Sequence, residues 1–275
     1  MSAPLPSRLL VTRASGYIGR RTVELLLGAG AENLIAASRY PEMLSDLASR
    51  GAEIRKADFD DPATLDLEFA GVERLLIVST DALGVPGKRQ RQHRAAVDAA
   101  VKAGVGHIIY TSMSSPEPGS LMPFAPDHYE TERALERSGV PFTVLRVNCY
   151  ADNIFSWFPQ ALSSGQWLTS SGGGCAGYVT RDEAAAAAAV LSFDAIHSCR
   201  VDVTGPEALS ATAVTGIVNE VFDSPIQVIS VSDEQLAEGL PAAGLPASLV
   251  ELLVAMDATT RTGGVDIVSN LMSFE

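Results

Sequence analysis

The stretch from Leu9 to Gly19 constrains this chain more than any other part of its sequence. It begins with an apolar run at 9–11 and ends in a turn with two glycines, Gly16 and Gly19, three residues apart. A helix is predicted over 17–28, because apolar residues within 23–27 supply a buried side. A strand, a glycine turn and a helix in this order open a nucleotide-binding βαβ unit, in which backbone N–H groups face a pyrophosphate.

Short apolar strands alternate with helices along the first 150 residues. This alternation predicts an α/β fold with a doubly wound, Rossmann-type parallel sheet. The rhythm breaks after residue 153, so we expect a dinucleotide-binding core at 1–150 and a smaller α/β substrate lobe at 151–275. Strands near 176–180 and 201–204 are candidates to rejoin the core sheet. The core strands are predicted at 8–12, 33–38, 53–58, 74–79, 107–112 and 140–146.

Composition excludes several function classes. The net charge of −13 disfavours a nucleic-acid binder, which needs a basic face. We expect no membrane association, since no apolar run approaches the roughly 20 residues that span a bilayer. The cysteines Cys149, Cys175 and Cys199 lie far apart and predict neither a metal site nor a disulfide framework, which favours the cytoplasm. The sequence leaves the oligomeric state open and is compatible with a homodimer.

A longer pattern joins two later elements. His128-x-x-Thr-Glu is followed by Ser-Gly-Val-Pro-Phe-Thr-x-Leu-Arg, ending at Arg146, and then by Tyr150 and Asn153. Together with the glycine turn, this pattern resembles the NmrA-like group of atypical short-chain dehydrogenase/reductases. The group includes NADPH:quinone and triphenylmethane reductases, isoflavone-reductase-like enzymes and redox-sensing regulators. The resemblance implies a Rossmann core, bound NADP(H) and reduction of a small aromatic or quinone-like molecule.

The resemblance and the strand ends together indicate where the cofactor binds. Arg39 follows the second strand, where an arginine accommodates a 2′-phosphate, so NADP(H) is favoured over NAD(H). A solvated surface charge is the alternative for Arg39, and a helix cap is the alternative for Asp58. The resemblance places Asp58 near the adenine amino group. The full set of expected cofactor contacts is Thr12, Arg13, Ser15, Gly16, Tyr17, Ile18, Gly19, Arg39, Asp58, Phe59, Ser79, Thr80, Arg133, Asn148 and Tyr150.

Three residues are candidates for the chemistry. His128 aligns with a functional lysine or histidine of the relatives and is expected to face the substrate as a proton donor; a helix-start hydrogen bond is the alternative. Tyr129 is followed four residues later by Arg133, where short-chain reductases carry a lysine, a spacing that also arises by chance. Ser112 ends the fifth strand and is expected either to orient the substrate oxygen or to satisfy the main chain.

Other charged and polar residues receive structural interpretations. The basic cluster Lys88, Arg89 and Arg91 is expected to be a solvated helix start. The remaining histidines are expected to be structural or surface residues, and no metal site is predicted. They are His93, His107 and His197.

Arg13 departs from the family pattern, because it stands where the relatives have the first glycine of the turn. Its side chain either contacts the 2′-phosphate together with Arg39, or points to solvent at some cost in backbone strain, or fills the cofactor groove. The predicted function is an NADPH-dependent reductase of a quinone, enone or similar conjugated aromatic. The alternatives are a non-catalytic NADP(H) sensor and a cofactor-independent isomerase or cyclase.

Overall fold

Strands and helices alternate along the first half of the chain, and the computed structural model describes residues 8–156, 158–194, 198–223, 225–242 and 247–269. The strands are β1 Leu9–Val11, β2 Leu34–Ser38, β3 Glu53–Lys56, β4 Arg74–Ile77, β5 His107–Met113, β6 Phe142–Val147, β7 Gln166–Thr169, β8 Cys175–Gly177, β9 Cys199–Val203, β10 Ala208–Ser210 and β11 Gln227–Ser230. The helices are α1 Tyr17–Gly28, α2 Ser45–Ser49, α3 Pro62–Glu68, α4 Lys88–Ala103, α5 Ala125–Ser138, α6 Phe158–Ser164, α7 Arg181–Asp194, α8 Ala211–Phe222, α9 Asp233–Ala242 and α10 Ala247–Arg261. Short 3-10 helices span Pro41–Leu44 and Ala151–Ser156.

The main sheet has seven strands in the order β3-β2-β1-β4-β5-β6-β9. The pairs from β3 to β5 are all parallel, with Val11 opposite both Ala36 and Leu76. Because the order reverses direction at β1, the crevice at the carboxyl ends of β1 and β4 is the topological switch point where such sheets bind ligands. The predicted doubly wound α/β fold is confirmed.

Apolar strands and helices on both faces explain why the sheet forms. All seven residues of β5 are buried, as expected for a parallel strand covered on both sides. Helix α1 turns Val23 and Leu26 inward, and the alanine-rich helix α7 packs against it, with Thr22 Oγ1 lying 3.4 Å from the Ala185 carbonyl. The small alanines of α7 allow this close approach.

The remaining strands form two smaller sheets. β8 pairs antiparallel with β10, and β7 pairs parallel with β11. Of the two strands considered for the main sheet, β9 joins it beside β6, whereas β8 does not. The sequence did not predict β7 and β10, and residues 41–49 form a 3-10 turn followed by α2.

The chain contains two compact units that alternate along the sequence. The first comprises 1–113, 127–146 and 181–201, and the second comprises 114–126, 147–180 and 202–275. The boundary expected after residue 150 stays a prediction. No helix in the described part of the chain has the length and apolarity needed to cross a membrane.

Candidate functional site

The turn between β1 and α1 leaves a helix N-terminus open. Gly16 is the N-cap of α1 and makes no side-chain cap, and the first turn carries no acidic residue. A Cβ on Gly19 would lie 2.5 Å from the Arg13 carbonyl oxygen, so this position requires glycine. The first N–H groups of a helix lack intrahelical acceptors and bind anions. The turn therefore suits a pyrophosphate, as the sequence predicts.

Hydrogen bonds fix this turn to the neighbouring strand ends. Thr12 is fully buried; its hydroxyl donates to the Leu76 carbonyl at 3.0 Å and accepts the Val78 N–H at 2.9 Å. The Ser15 and Ser38 hydroxyls lie 2.8 Å apart and join the turn to the end of β2. Thr12 thus acts on the backbone geometry of the site.

Arg13 adopts a left-handed backbone conformation, with φ 52°. Its guanidinium forms an ion pair with Asp81, just after β4, at 3.0 Å, and the two side chains are 28% and 84% exposed. Hydrogen bonding to Arg13 lowers the pKa of the Asp81 carboxyl, and the charge of Arg39 contributes to the same shift. The side chain of Arg13 is therefore directed across the end of β1 toward β4.

Further charges lie near Arg39 at the same edge. Arg39 is exposed, and its guanidinium lies 4.8 Å from the centroid of the Tyr40 ring. Lys88 forms an ion pair with Asp60 at 2.9 Å. Hydrogen bonds from Lys88 and Gln92, together with the charges of Lys88 and Arg39, lower the pKa of Asp60. Cations and carboxylates thus lie close together at the edge of the sheet at β2 and β3.

Other predicted cofactor contacts lie at the ends of β3 and β4. Asp58 accepts the Asp60 N–H at 3.0 Å, which closes a turn and caps no helix. Phe59 is 8% exposed and belongs to the hydrophobic core, so it can present only its backbone to a ligand. Ser79 N–H donates to the Thr111 hydroxyl at 2.8 Å. All these positions follow parallel strands and therefore lie along one edge of the sheet.

A buried polar cluster lies between β5, α4 and α5. The Thr80 N–H donates to His93 Nε2 at 2.9 Å, so the proton of the neutral His93 ring is on Nδ1. That proton is donated to the Thr131 hydroxyl at 3.1 Å, which itself donates to the Asp127 carbonyl. Burial, with a contribution from the Arg89 charge, lowers the pKa of His93 to about 3.

His128 belongs to this cluster. Its Nε2 accepts from Arg89 at 2.8 Å, so its Nδ1 carries the proton and donates to the Tyr110 hydroxyl at 2.8 Å. Burial, and then the Arg89 charge, hold the pKa of His128 well below its ordinary value. The ring is neutral at pH 7, and the expected proton donation from His128 to a substrate does not fit this position.

The solvated helix start expected for the basic cluster is wrong for Arg89, which is 5% exposed. Its side chain points inward because His128 of α5 lies against the first turn of α4. Lys88 is partly exposed and Arg91 is exposed. Of the remaining histidines, His93 and His107 are buried, as expected of structural residues, and His197 lies outside the described residues.

Ser112 donates to a buried carboxylate. Its hydroxyl lies 2.7 Å from Glu132, which is 1% exposed and forms ion pairs with Arg146 at 2.7 Å and Arg200 at 2.8 Å. Burial alone would raise the pKa of Glu132, but hydrogen bonds from these three residues lower it. The sequence reasoning missed Glu132, although it lies inside the His-x-x-Thr-Glu motif.

Tyr129 and Arg133 are brought together on α5. The Arg133 guanidinium lies 5.4 Å from the centroid of the Tyr129 ring and forms an ion pair with Glu136. Both are partly exposed. The spacing noticed in the sequence thus corresponds to a cation against an aromatic ring.

Two predicted contacts lie in the second compact unit. Asn148 is buried; its amide donates to the Val265 carbonyl at 3.0 Å, and its side-chain oxygen accepts the Cys149 N–H at 2.8 Å. Tyr150 forms an isolated parallel bridge with Val179. Within the described ranges, no group of three His, Cys, Asp or Glu side chains is arranged to hold a metal ion.

Several known proteins are similar to this chain along nearly its whole length. Residues 14–189 match the family described as NAD(P)H-binding. Quinone oxidoreductase 2 of Escherichia coli (strain K12) is 32% identical over 259 residues, covering 94% of this chain and 89% of that protein. The solved structure of the NADPH-dependent quinone oxidoreductase QOR2 from Escherichia coli, complexed with NADPH, matches with a TM-score of 0.90 at 31% identity, covering 96% of this chain and 93% of that one. Citrobacter sp. triphenylmethane reductase complexed with NADP(H) matches with a TM-score of 0.86 at 31% identity and the same two coverages, 96% and 93%.

Proposed function

This chain belongs to the NAD(P)H-binding family, in the NmrA-like group of short-chain reductases, and from that membership we propose that it reduces quinones or similar conjugated aromatics with NADPH. It is an NAD(P)H-dependent oxidoreductase, and NADP(H) is its cofactor. The observation that carries the choice of substrate is the similarity to a quinone oxidoreductase along nearly the whole of both chains. A cytoplasmic location and a homodimeric state stay predictions of the sequence.

The residues at the carboxyl edge of the first compact unit fit this cofactor. The uncapped N-terminus of α1 suits the pyrophosphate, and Gly19 allows the tight turn that positions it. Arg39 suits the 2′-phosphate; among the described residues, no carboxylate lies within ion-pair distance of it. The buried Oε1 of Gln92 has no hydrogen-bond partner in the described part of the chain and is an acceptor suited to the adenine amino group.

Held at the N-terminus of α1 and by Arg39, NADPH would supply a hydride from its nicotinamide ring, which together with one proton would reduce a quinone to a hydroquinone. We assign the donation of this proton to Tyr129, which would regain it from water; the Arg133 guanidinium lies 5.4 Å from the centroid of its ring. Ser112 and Glu132 fix the end of β5. His128 is a positioning residue that holds Arg89 and Tyr110.

Turnover of NADPH with quinones tests the proposal. Purified protein is mixed with NADPH and with 1,4-benzoquinone, 1,4-naphthoquinone or malachite green, and the loss of NADPH absorbance is followed. We expect saturable turnover with at least one acceptor and a higher kcat/KM with NADPH than with NADH. Cofactor binding without turnover of any acceptor would contradict the substrate class and favour the non-catalytic sensor.

Two glycines of α1 provide a matched pair of variants. Gly19→Ala places a methyl group 2.5 Å from a carbonyl oxygen of the turn, whereas Gly28→Ala meets nothing within 4 Å. We expect Gly19→Ala to lose NADPH binding and turnover at least tenfold and Gly28→Ala to keep both. Circular dichroism of each variant shows whether the fold is retained. Turnover that survives Gly19→Ala and needs no cofactor would favour the isomerase alternative.

A further inference from the structure

Three cations and two carboxylates meet at the edge of β1, β2, β3 and β4. Arg13 pairs with Asp81, and Lys88 pairs with Asp60. The charge of Arg39 is felt by both carboxylates and lowers the pKa of each. Asp81 thus pairs with Arg13 and lies within the electrostatic reach of Arg39, at the strand ends where sheets of this kind bind ligands.

The stability of the fold does not explain why residue 13 is an arginine. A left-handed conformation is unfavourable for any residue with a Cβ, and glycine would adopt it without strain. The ion pair with Asp81 offsets little of this, since the Asp81 side chain is 84% exposed and exposed pairs contribute almost nothing to folding. A positive charge held at this position at the expense of backbone strain indicates a ligand with negative charge.

We propose that the Asp81 carboxylate is an internal competitor for the 2′-phosphate of NADP(H), and that Arg13 exchanges Asp81 for that phosphate when the cofactor binds. This inference rests on the proposed use of NADPH. It assigns Arg13 a part in cofactor selection beside Arg39, and it assigns Asp81 the opposite effect, weakening the binding of the phosphorylated cofactor.

The exchange is favourable on charge alone. A phosphate monoester carries about −1.5 to −2 charges at pH 7, against −1 for a carboxylate, and its oxygens match the fork of a guanidinium. Leaving Asp81 costs Arg13 little, because water reaches most of the Asp81 side chain and solvates the released carboxylate. NADH lacks the 2′-phosphate, so it cannot drive the exchange and gains little from removal of Asp81.

Titrations of NADPH and NADH, and of 2′,5′-ADP and 5′-AMP, test this assignment by calorimetry without any catalytic turnover. The variants are Asp81→Asn, Arg13→Gly and the double variant. The control is Asp98→Asn, which changes the net charge equally and removes another exposed carboxylate paired with an arginine, Arg94. Thermal unfolding of every variant confirms that it is folded.

We expect Asp81→Asn to raise the affinity for NADPH and 2′,5′-ADP about three- to fivefold, and the affinity for NADH and 5′-AMP less than about twofold. Arg13→Gly is expected to lower the affinity for NADPH about tenfold. In the double variant, Asp81→Asn is expected to raise this lowered affinity by no more than about twofold. Asp98→Asn leaves all four affinities within about twofold. The ratio of NADPH to NADH affinity is the quantity that carries the proposal.

If wild type binds NADPH but Asp81→Asn leaves the ratio of NADPH to NADH affinity unchanged or lowers it, the inference is overturned and the proposed function stays intact. Equal tightening of NADH and NADPH overturns it too, because the competition would then be for the pyrophosphate. Wild type that binds neither cofactor overturns the proposed function and, with it, this inference.

Discussion

Replacing the buried carboxylate of Glu132 with the isosteric amide of glutamine tests how the end of β5 is held. Both oxygens of Glu132 accept hydrogen bonds: Oε1 from Ser112 at 2.7 Å and Arg146 Nε at 3.1 Å, and Oε2 from Arg146 at 2.7 Å and Arg200 at 2.8 Å. Glutamine keeps the volume but loses the charge, and whichever end carries its NH₂ group faces donors.

The burial of the group sets the size of the effect. Removing one partner of a buried ion pair costs about 3–5 kcal/mol, because the other charge remains without compensation. Here the acid is 1% exposed, but Arg146 and Arg200 are 17% and 30% exposed, so water takes up part of the loss. We therefore expect Glu132→Gln to lower the free energy of unfolding by about 3 kcal/mol, the lower end of that range.

Glu136→Gln is the matched control. Glu136 lies one turn later on α5 and also pairs with Arg200, but its side chain is 29% exposed. We expect it to cost less than about 1 kcal/mol. Urea unfolding followed by circular dichroism gives both free energies. A cost for Glu132→Gln below about 1 kcal/mol, or equal to that of the control, would refute the assignment of a stabilising buried carboxylate.

The effect of Glu132 also depends on pH. Its pKa is lower in the folded chain than in the unfolded one, where it is about 4.3. Its contribution to stability is therefore complete above the unfolded value and is lost as the pH falls through the folded value. The difference between wild type and Glu132→Gln is expected to be constant between pH 6 and 8 and to shrink below about pH 4.

Three further predictions concern packing and protonation elsewhere in the chain. Tyr110→Phe removes the acceptor of the buried His128 Nδ1–H and is expected to lower the free energy of unfolding, measured in urea, by about 1–3 kcal/mol. Tyr40→Phe, at an exposed side chain, is the control and is expected to lower it by less than about 0.5 kcal/mol. Burial and the nearby Arg74 lower the pKa of His107 to about 4 in the folded chain, whereas in the unfolded chain it is about 6.5. Below about pH 6.5 the imidazole is therefore protonated in the unfolded chain before it is protonated in the folded one. Between pH 7 and pH 5 the free energy of unfolding of wild type is expected to fall by about 2 kcal/mol more than that of His107→Gln. Gly216 is an exposed residue within α8, and a Cβ added there meets nothing within 4 Å. Gly216→Ala is therefore expected to raise the free energy of unfolding by about 0.5–1 kcal/mol, observed as a rise in Tm.

Local patterns predicted the parts of this protein that depend on neighbouring residues. Helix α1 spans Tyr17–Gly28, the range that the turn glycines and the following apolar residues predict. The burial of Ile108, Ile109 and Tyr110 in β5 follows in the same way from consecutive apolar side chains. β10 was missed because its three residues carry no alternation of their own and gain their hydrogen bonds only from β8.

The sequence by itself determined the Rossmann fold, the open turn at Gly16 and Gly19 and the family of the chain, because these depend on residues close together along it. Only the tertiary structure decided where the charges of the site point. Arg13 reaches a carboxylate 68 positions away, and Arg89 and His128 meet across 39 positions inside the protein. Whether a basic or imidazole side chain is solvated or buried depends on what the fold packs against it, and no local pattern records that.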